Sequence, residues 1–398
     1  MTRRRVVLVS ATVGVAIFVC CCLLVRGGTL DSTPYGDVHL YETYGHNMTS
    51  GLLPYRDFYD EYPPLAQPLF AFVHALPGGY EHAFRWTMVS FGAAALVLLV
   101  LSLASVGASR LRMVVAALAA GVAPLVTGPI FLNAYDLWPA FLTAAALLAF
   151  VRHKERATYV LLALAVAAKV YPVVLVPIVL VETWDRGGRD WVRRGLVWFV
   201  GTLVLVHLPF AVTGPGGLRF SYWSQLRRGL EVESLAGSLF LAVQRLGIHH
   251  VDLRAGRPGS TNVAGSLADA VGTLSSLVGL AAVLLVVWLC LRRRVEPLTA
   301  AAAAVVGFVV FGKVFSPQYV DWFVPLVPAA GAAASALLLG ALGLTRVVFD
   351  RFHAVGGPNG THYKAALTWW VVARDLVVVC LYGLLVVRLR RRPSARSA

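Results

Sequence analysis

The chain has 398 residues, 58% of them hydrophobic and 14% charged, with a formal net charge of +15. A soluble domain is nearer half apolar and a quarter charged, so soluble globular, disordered, collagen-like and disulfide-scaffold classes are excluded. Apolar runs of spanning length recur from end to end, which marks a polytopic membrane protein. The positive excess lies in clusters beside those runs, at Arg3 to Arg5, Arg110/Arg112, Arg152/Lys154/Arg156, Arg186 to Arg194, Arg292 to Arg294 and from Arg388 onward. That is the pattern of cytoplasmic loops, a signal of topology and not of nucleic-acid binding. The five cysteines sit inside apolar runs and have no metal or disulfide spacing.

In chain order, residues 1–25 form the first transmembrane helix. Its apolar run is longer than a signal-peptide core and no A-x-A site follows, so it reads as retained, with a cytoplasmic N-terminus. Residues 26–85 form a first extracytoplasmic loop. Within it an apolar piece at 64–76, ended by Pro77-Gly78-Gly79, is too short to span and is predicted to lie at the interface or to be re-entrant. Residues 86–212 hold spans near 86–107, 114–128, 137–151, 157–169, 171–182 and 195–212. A second long extracytoplasmic loop occupies 213–264. The C-terminal helices at 265–388 comprise spans near 265–291, 298–313, 319–331, 333–349 and 366–388, followed by a basic cytoplasmic tail at 389–398. The expected architecture is therefore an all-α polytopic membrane bundle of about 12 transmembrane helices (roughly 10–13) with juxtamembrane helices in its outer loops. Both termini are cytoplasmic, and the membrane is the plasma membrane. No period of 20 to 50 residues marks a repeat array.

The polar residues concentrate on the outer face. The first loop carries Asp31, Asp37, Glu42, Asp57, Asp60 and Glu61, interleaved with Tyr35, Tyr41, Tyr44, Tyr55, Phe58, Tyr59 and Tyr62. Two readings stand: a solvated loop with an aromatic belt, or a packed site in which carboxylates meet sugar hydroxyls above apolar ring faces. The spacing of Asp37, Tyr41 and Tyr44 places them on one helical face. Glu61-Tyr62-Pro63-Pro64 is a rigid entry to the next apolar segment. The second loop places Arg219, Arg227, Arg228, Arg245, Arg254 and Arg257 outside, either as ordinary surface arginines or as a phosphate clamp. Lys169 and Lys313, two of only four lysines, end apolar spans on the outer side, where a lysine either snorkels or serves a site. Asp136 reads as a helix N-cap or as a site acid. Asp375, next to Arg374, reads as local charge compensation. No HExxH, GxGxxG, Walker A, GxSxG or DxD pattern occurs, so neither a metal site nor a cofactor is expected.

The stretches Asp37-Val38-His39-Leu40-Tyr41, Gly51-Leu52-Leu53-Pro54-Tyr55-Arg56-Asp57-Phe58 and Glu61-Tyr62-Pro63-Pro64-Leu65 resemble the first extracytoplasmic loop of glycosyltransferase family 87. This is a bacterial branch of the GT-C superfamily that includes phosphatidylinositol-mannoside mannosyltransferases. Lys169-Val170-Tyr171-Pro172, Glu233-Ser234-Leu235-Ala236-Gly237 and Ser316-Pro317-Gln318-Tyr319 with Trp322 continue the resemblance over most of the chain. It implies a GT-C-type bundle and transfer of a hexose, with mannose foremost, from a polyprenyl-phosphate sugar to a lipid or glycan hydroxyl outside the cytoplasmic membrane. The histidine-rich motif near the tenth span of the mannoside-synthesising members is replaced here by Gln318-Tyr319.

The position of Asp37 matches the catalytic acid of that superfamily, implying a single general base and inversion at the anomeric carbon. A phosphate leaving group needs no strong general acid, unlike the paired carboxylates of glycosidases. Lys169, Lys313, Arg227 and Arg228 are then the candidates for the donor phosphate. Tyr41, Glu61, Tyr62, Asp136, Ser234, Gln318, Tyr319 and Trp322 are the candidates for sugar or headgroup hydroxyls. The expected partners are the donor, its acceptor and membrane lipids, without nucleic acid. The competing class is a lipid-linked sugar flippase or transporter, which calls for pseudo-symmetric halves and midplane polar residues; here the halves do not match and midplane polar residues are scarce. A membrane acyltransferase would want a histidine deep in the membrane, and His207, the nearest, lies near an outer end.

Overall fold

A backbone in hydrocarbon has no water to pair its N–H and C=O groups, so an apolar chain of this kind resolves into helices, whose bonds close within each segment. The computed structural model describes residues 2–26, 37–256, 260–355 and 363–391 (of 350–355 and 363–366 the backbone alone). The sequence readings at Asp31, Tyr35 and Arg257, and the tail beyond residue 391, lie outside the described residues. The chain divides into two compact units: residues 1–124 with 129–227, and residues 125–128 with 228–398.

The first unit contains α1 (Arg3–Arg26), α2 (Val38–Thr49), α3 (Ala66–His74), α4 (Tyr80–Ser105), most of α5 (Arg110–Thr127), the single turn α6 (Ile130–Asn133), α7 (Leu137–Val151), α8 (Glu155–Ala168), α9 (Val176–Thr213) and α10 (Pro215–Leu226). α4 packs against α1, α3 and α7, α7 against α8, and α8 against α9. The long α9 is two helices, 176–187 and 189–213, joined at Gly188, whose φ of 62° belongs to the left-handed region open to glycine. The separate spans expected at 171–182 and 195–212 are these two pieces. α2 buries Val38, Tyr41, Tyr44 and Gly45, the face anticipated from their spacing. It crosses α3 backbone to backbone: a Cβ on Gly45 would lie 2.5 Å from the Phe70 carbonyl oxygen and 2.9 Å from the His74 Cβ. That close crossing stacks the Tyr41 ring on Phe70, with centroids 4.6 Å apart and planes 6° from parallel.

The second unit contains β1 (Leu230–Glu231), α11 (Leu235–Arg245), β2 (Leu253–Ala255), β3 (Thr261–Val263), α12 (Ser266–Arg292), α13 (Pro297–Val310), α14 (Ala332–Val355) and α15 (Tyr363–Arg390). α13 is almost wholly buried and packs against α12 and α15, while α14 pairs with α15. The three strands form an antiparallel sheet in the order β1-β3-β2, with Leu230 opposite Val263 and Arg254 opposite Asn262. Leu230, Val232, Leu241, Val251, Val263, Ala268 and Leu367 make a core of their own beneath it. Strands of two or three residues are below the reach of hydrophobic alternation, so the sequence shows only a loop here.

Seven helices among the described residues are long and apolar enough to cross a membrane, and α7 and α13 are shorter apolar helices. This is an all-α, multi-pass membrane fold. One expected span takes another form. Residues 319–331 are not an α-helix but two short 3-10 segments, Pro317–Phe323 and Val327–Ala330. Pro325 and Pro328 remove backbone donors, and Gly331 turns the chain at φ 99°. Irregular backbone of this kind is tolerated at membrane depth where protein covers it, and every residue from Val320 to Ala330 is buried. A proline also explains Arg346 on α14. The Leu125 carbonyl would ordinarily accept from residue 129, which is Pro129, and Arg346 Nη1 donates to it instead at 2.8 Å.

Replacing Gly45 with alanine is expected to force α2 off α3 and to destabilise the protein by about 1–3 kcal/mol. Thermal unfolding in detergent measures it, and an unchanged midpoint would show that the crossing has slack.

Candidate functional site

In the first unit two tyrosines of the segment between α1 and α4, Tyr41 and Tyr62, converge on Asp37. This aspartate stands at the N-cap position of α2 but makes no cap hydrogen bond. Its Oδ2 instead accepts from the Tyr62 hydroxyl at 3.1 Å and the Tyr41 hydroxyl at 3.4 Å. Tyr41 is one helical turn further along α2 and so lies beneath the carboxylate. Tyr62 arrives from the turn before Pro63-Pro64, where its N–H donates to Asp60 Oδ1 at 2.8 Å and its carbonyl accepts from the Tyr55 hydroxyl. Its ring meets Tyr41, Phe70 and Tyr135 edge-on, with centroids 5.4, 5.7 and 5.1 Å away. Such edge-to-face contacts fix ring orientation.

Two further charged residues complete this cluster. Asp136 occupies the N-cap position of α7 without making a cap bond. It is fully buried, and the Lys169 ammonium donates to its Oδ1 at 2.5 Å. Lys169 ends α8 in extended backbone, and its Nζ sits 4.6 Å from the centre of the Tyr135 ring. Lys169 and Asp136 thus form an ion pair in which Asp136 is fully buried and Lys169 partly so. Burial pushes the Asp37 carboxyl above the ordinary carboxylate range; the Tyr62 hydroxyl and the Lys169 charge pull it back, while the Asp136 charge pushes it further up. Asp60 is buried and its Oδ2 has no hydrogen-bond partner among the described residues. Burial raises its pKa to about 7, against the Tyr62 N–H and Gln67, which favour the charged form. Glu61 is buried beside it. Arg227 is exposed, its guanidinium 4.6 Å from the centre of the Trp223 ring on α10.

In the second unit Glu231 is the organiser. Its buried carboxylate accepts from the Phe315 N–H at 2.9 Å, the Ser316 hydroxyl at 3.2 Å and Arg228 Nη2 at 3.1 Å. Its own N–H donates to the Lys313 carbonyl at 2.9 Å. The loop after α13 is thereby hung on β1. Arg228 Nη1 reaches the Tyr319 hydroxyl at 3.5 Å, and Tyr319 stacks on Trp322 at 4.1 Å. Burial, and then the Arg228 charge, lower the Lys313 pKa; Asp269 offsets this. Gln318 is half-buried in the same 3-10 segment as Tyr319. Ser234 is fully buried and caps α11: its oxygen accepts from the Gly237 N–H at 3.2 Å and its hydroxyl donates to the Glu231 carbonyl at 2.7 Å.

Sequence reasoning missed three contributors. Tyr135 reads as an ordinary aromatic yet faces both Lys169 and Tyr62. Glu231 gave no signal beyond lying near a cluster of arginines. Arg374 was paired only with its neighbour, and the structure shows more: it is wholly buried, bonds Asp375 Oδ1 at 2.8 Å, reaches Glu233 Oε2 at 3.3 Å and the Glu233 carbonyl, and lies 4.0 Å from the Phe315 ring centre. An ionisable pair inside an apolar run was the one available sign.

The family model of Glycosyltransferase family 87 matches residues 61–317, more than half of the chain. No curated protein sequence matches it. Among solved structures, the Archaeoglobus fulgidus oligosaccharyltransferase in the apo form matches with a TM-score of 0.44 and 14% identity, over 99% of this chain and 57% of that one. The archaeal oligosaccharyltransferase AglB from the same organism, in complex with an inhibitory peptide and a dolichol-phosphate, matches with a TM-score of 0.44 and 16% identity, over 99% of this chain and 56% of that one. The chain thus spans little more than half the length of either, and no residue role is carried over from them.

Asp60 supplies a pH test of this arrangement. Its carboxyl binds a proton more tightly in the folded chain (about 7) than its ordinary value of 3.8. The stability this gives is fully present below that ordinary value and is lost as pH rises through about 7. Asp60→Asn keeps the acceptor for the Tyr62 N–H and has no charge to bury. It is expected to raise the unfolding temperature at pH 8 and to change it little at pH 4. An effect of equal size at both pH values would exclude a neutral buried Asp60.

Proposed function

Because the chain belongs to glycosyltransferase family 87, we propose that this membrane glycosyltransferase moves a hexose, with mannose foremost, from a polyprenyl-phosphate sugar to a hydroxyl of a lipid or glycan acceptor. The reaction would take place on the outer face of the plasma membrane, with both termini cytoplasmic, and would invert the anomeric carbon. The observation that carries the assignment of the base is the setting of Asp37. Two tyrosine hydroxyls hold Oδ2, and among the described residues no hydrogen bond reaches Oδ1. One carboxylate oxygen is thus anchored while the other is left to take a proton.

In the proposed step the acceptor oxygen attacks the anomeric carbon and its proton passes to Asp37 Oδ1. The bond from that carbon to the donor phosphate oxygen breaks, and the electron pair leaves with the polyprenyl phosphate. Charge grows on the phosphate as the bond opens, and fixed cations stabilise it there. Lys169 in the first unit is one candidate, although Asp136 balances it. Arg227, exposed on α10, suits a headgroup phosphate at the membrane surface. Tyr41 and Tyr62 orient the base, while Glu61 offers a partner for sugar hydroxyls. Ser234, in the second unit, uses its hydroxyl within the fold to cap α11.

Purified protein given a panel of radiolabelled polyprenyl-phosphate hexoses and a lipid extract should transfer one of them, and Asp37→Asn should lower turnover about 10²–10⁴-fold while leaving expression intact. Wild-type turnover by that variant would remove Asp37 from the mechanism. Since Asp37 must be ionised to act and burial raises its pKa, kcat/KM should fall on acidification at a pH above the ordinary carboxylate range. EDTA is expected to have little effect; loss of activity restored by a divalent cation would contradict this.

A further inference from the structure

We infer that Tyr55 is a positioning residue that holds the carboxylate of Asp37 through Tyr62. This rests on the reading of Asp37 as the base and extends the site to a residue that touches neither Asp37 nor its tyrosine hydroxyls.

The first observation is backbone strain. Tyr55 has φ 66°, one of two non-glycine residues with positive φ among those described. An L-residue there pays roughly 1–2 kcal/mol that glycine or asparagine would avoid, and such strain persists only when the surroundings over-determine it. The surroundings here do so. Leu53 N–H donates to Asp57 Oδ2 at 2.8 Å and Asp57 N–H to the Leu53 carbonyl at 3.0 Å, closing the turn on both sides of Tyr55. The Tyr55 ring meets Phe210 of α9 edge-on at 5.4 Å. The Tyr55 carbonyl is pressed by the junction of α9 and α10: a Cβ on Gly217 would lie 2.1 Å from its oxygen, and one on Gly214 2.7 Å from its carbon. Only glycine at both positions lets the helix junction come this close.

The second observation is what the strained turn delivers. The buried Tyr55 hydroxyl donates to the Tyr62 carbonyl, and Gln67 Nε2 donates to that hydroxyl at 3.4 Å. Tyr62 is therefore held at its carbonyl by Tyr55, at its N–H by Asp60, and around its ring by Tyr41, Phe70 and Tyr135. Its hydroxyl, the one free end, points at Asp37 Oδ2. A glycine at position 55 would relieve the backbone but lose the hydroxyl and the ring. The side chain is kept despite the strain because the hydroxyl fixes Tyr62, and Tyr62 favours the ionised form of Asp37.

The test reads the titration of Asp37 directly, by the carboxyl ¹³C or infrared signal of labelled aspartate in nanodiscs, assigned by its loss in Asp37→Asn. Tyr62→Phe removes the hydrogen bond and should move the Asp37 titration to higher pH. Tyr55→Phe keeps ring and backbone and should move it the same way by a smaller amount, with kcat reduced about tenfold and KM within about twofold of wild type. In Tyr62→Phe protein the further change Tyr55→Phe should move the titration no more, since the effect runs through the Tyr62 hydroxyl. Gly217→Ala, which pushes on the Tyr55 carbonyl from α10, should act in the same direction and serves if Tyr55→Phe does not fold. An unmoved titration in Tyr55→Phe, or shifts that add in the double variant, would overturn the proposal. Full activity in Asp37→Asn would instead overturn the assignment of the base while leaving the titration result standing.

Discussion

The buried pair of Lys169 and Asp136 is the interaction on which the first unit's site depends. A carboxylate removed from water pays several kcal/mol of desolvation, and only a partner in good geometry repays it. Asp136 has no exposed surface, and the Lys169 ammonium lies 2.5 Å from its Oδ1. The pair ties the start of α7 to the end of α8. It also brings a positive charge near Asp37, whose own burial would otherwise push its carboxyl still higher. Removing Lys169 would leave Asp136 as an uncompensated buried charge.

The second unit solves the same problem with other residues. Arg374, wholly buried on α15, meets Asp375 and Glu233, and the Glu231 carboxylate takes three donors, from Phe315, Ser316 and Arg228. Charge-assisted bonds of this kind are short, directional and costly to break. They pin the turn before α11 and the loop after α13, the two places where an irregular backbone must hold a fixed shape without a helix to support it. Each unit therefore stiffens its polar loops by buried ion pairing, while packing of apolar side chains holds its helices.

Much of this was legible in the sequence, for identifiable reasons. Helices of spanning length are local, so their apolar runs place α7, α8, α12, α13 and α15 within two or three residues. The face shared by Asp37, Tyr41 and Tyr44 follows from the helical repeat alone. What local pattern missed involves partners distant in the chain. Residues 319–331 carry an apolar run of spanning appearance, yet Pro325, Pro328 and Gly331 break it into 3-10 segments that only a surrounding protein core can tolerate. Asp136 looks like a helix cap, and its true partner, Lys169, lies 33 residues away.

By itself the sequence determined the class, the order of the helices and the loop in which the acids gather, because composition and hydrophobic period are properties of short windows. It also singled out Asp37. Tertiary structure alone decided which charges meet: Lys169 with Asp136, Glu231 with the backbone at Phe315, Arg374 with Glu233. It alone decided that Tyr55 adopts a strained turn to reach Tyr62. These are pairings across 7 to 141 residues of chain, and their energies come from the removal of water around both partners, which no window of sequence contains.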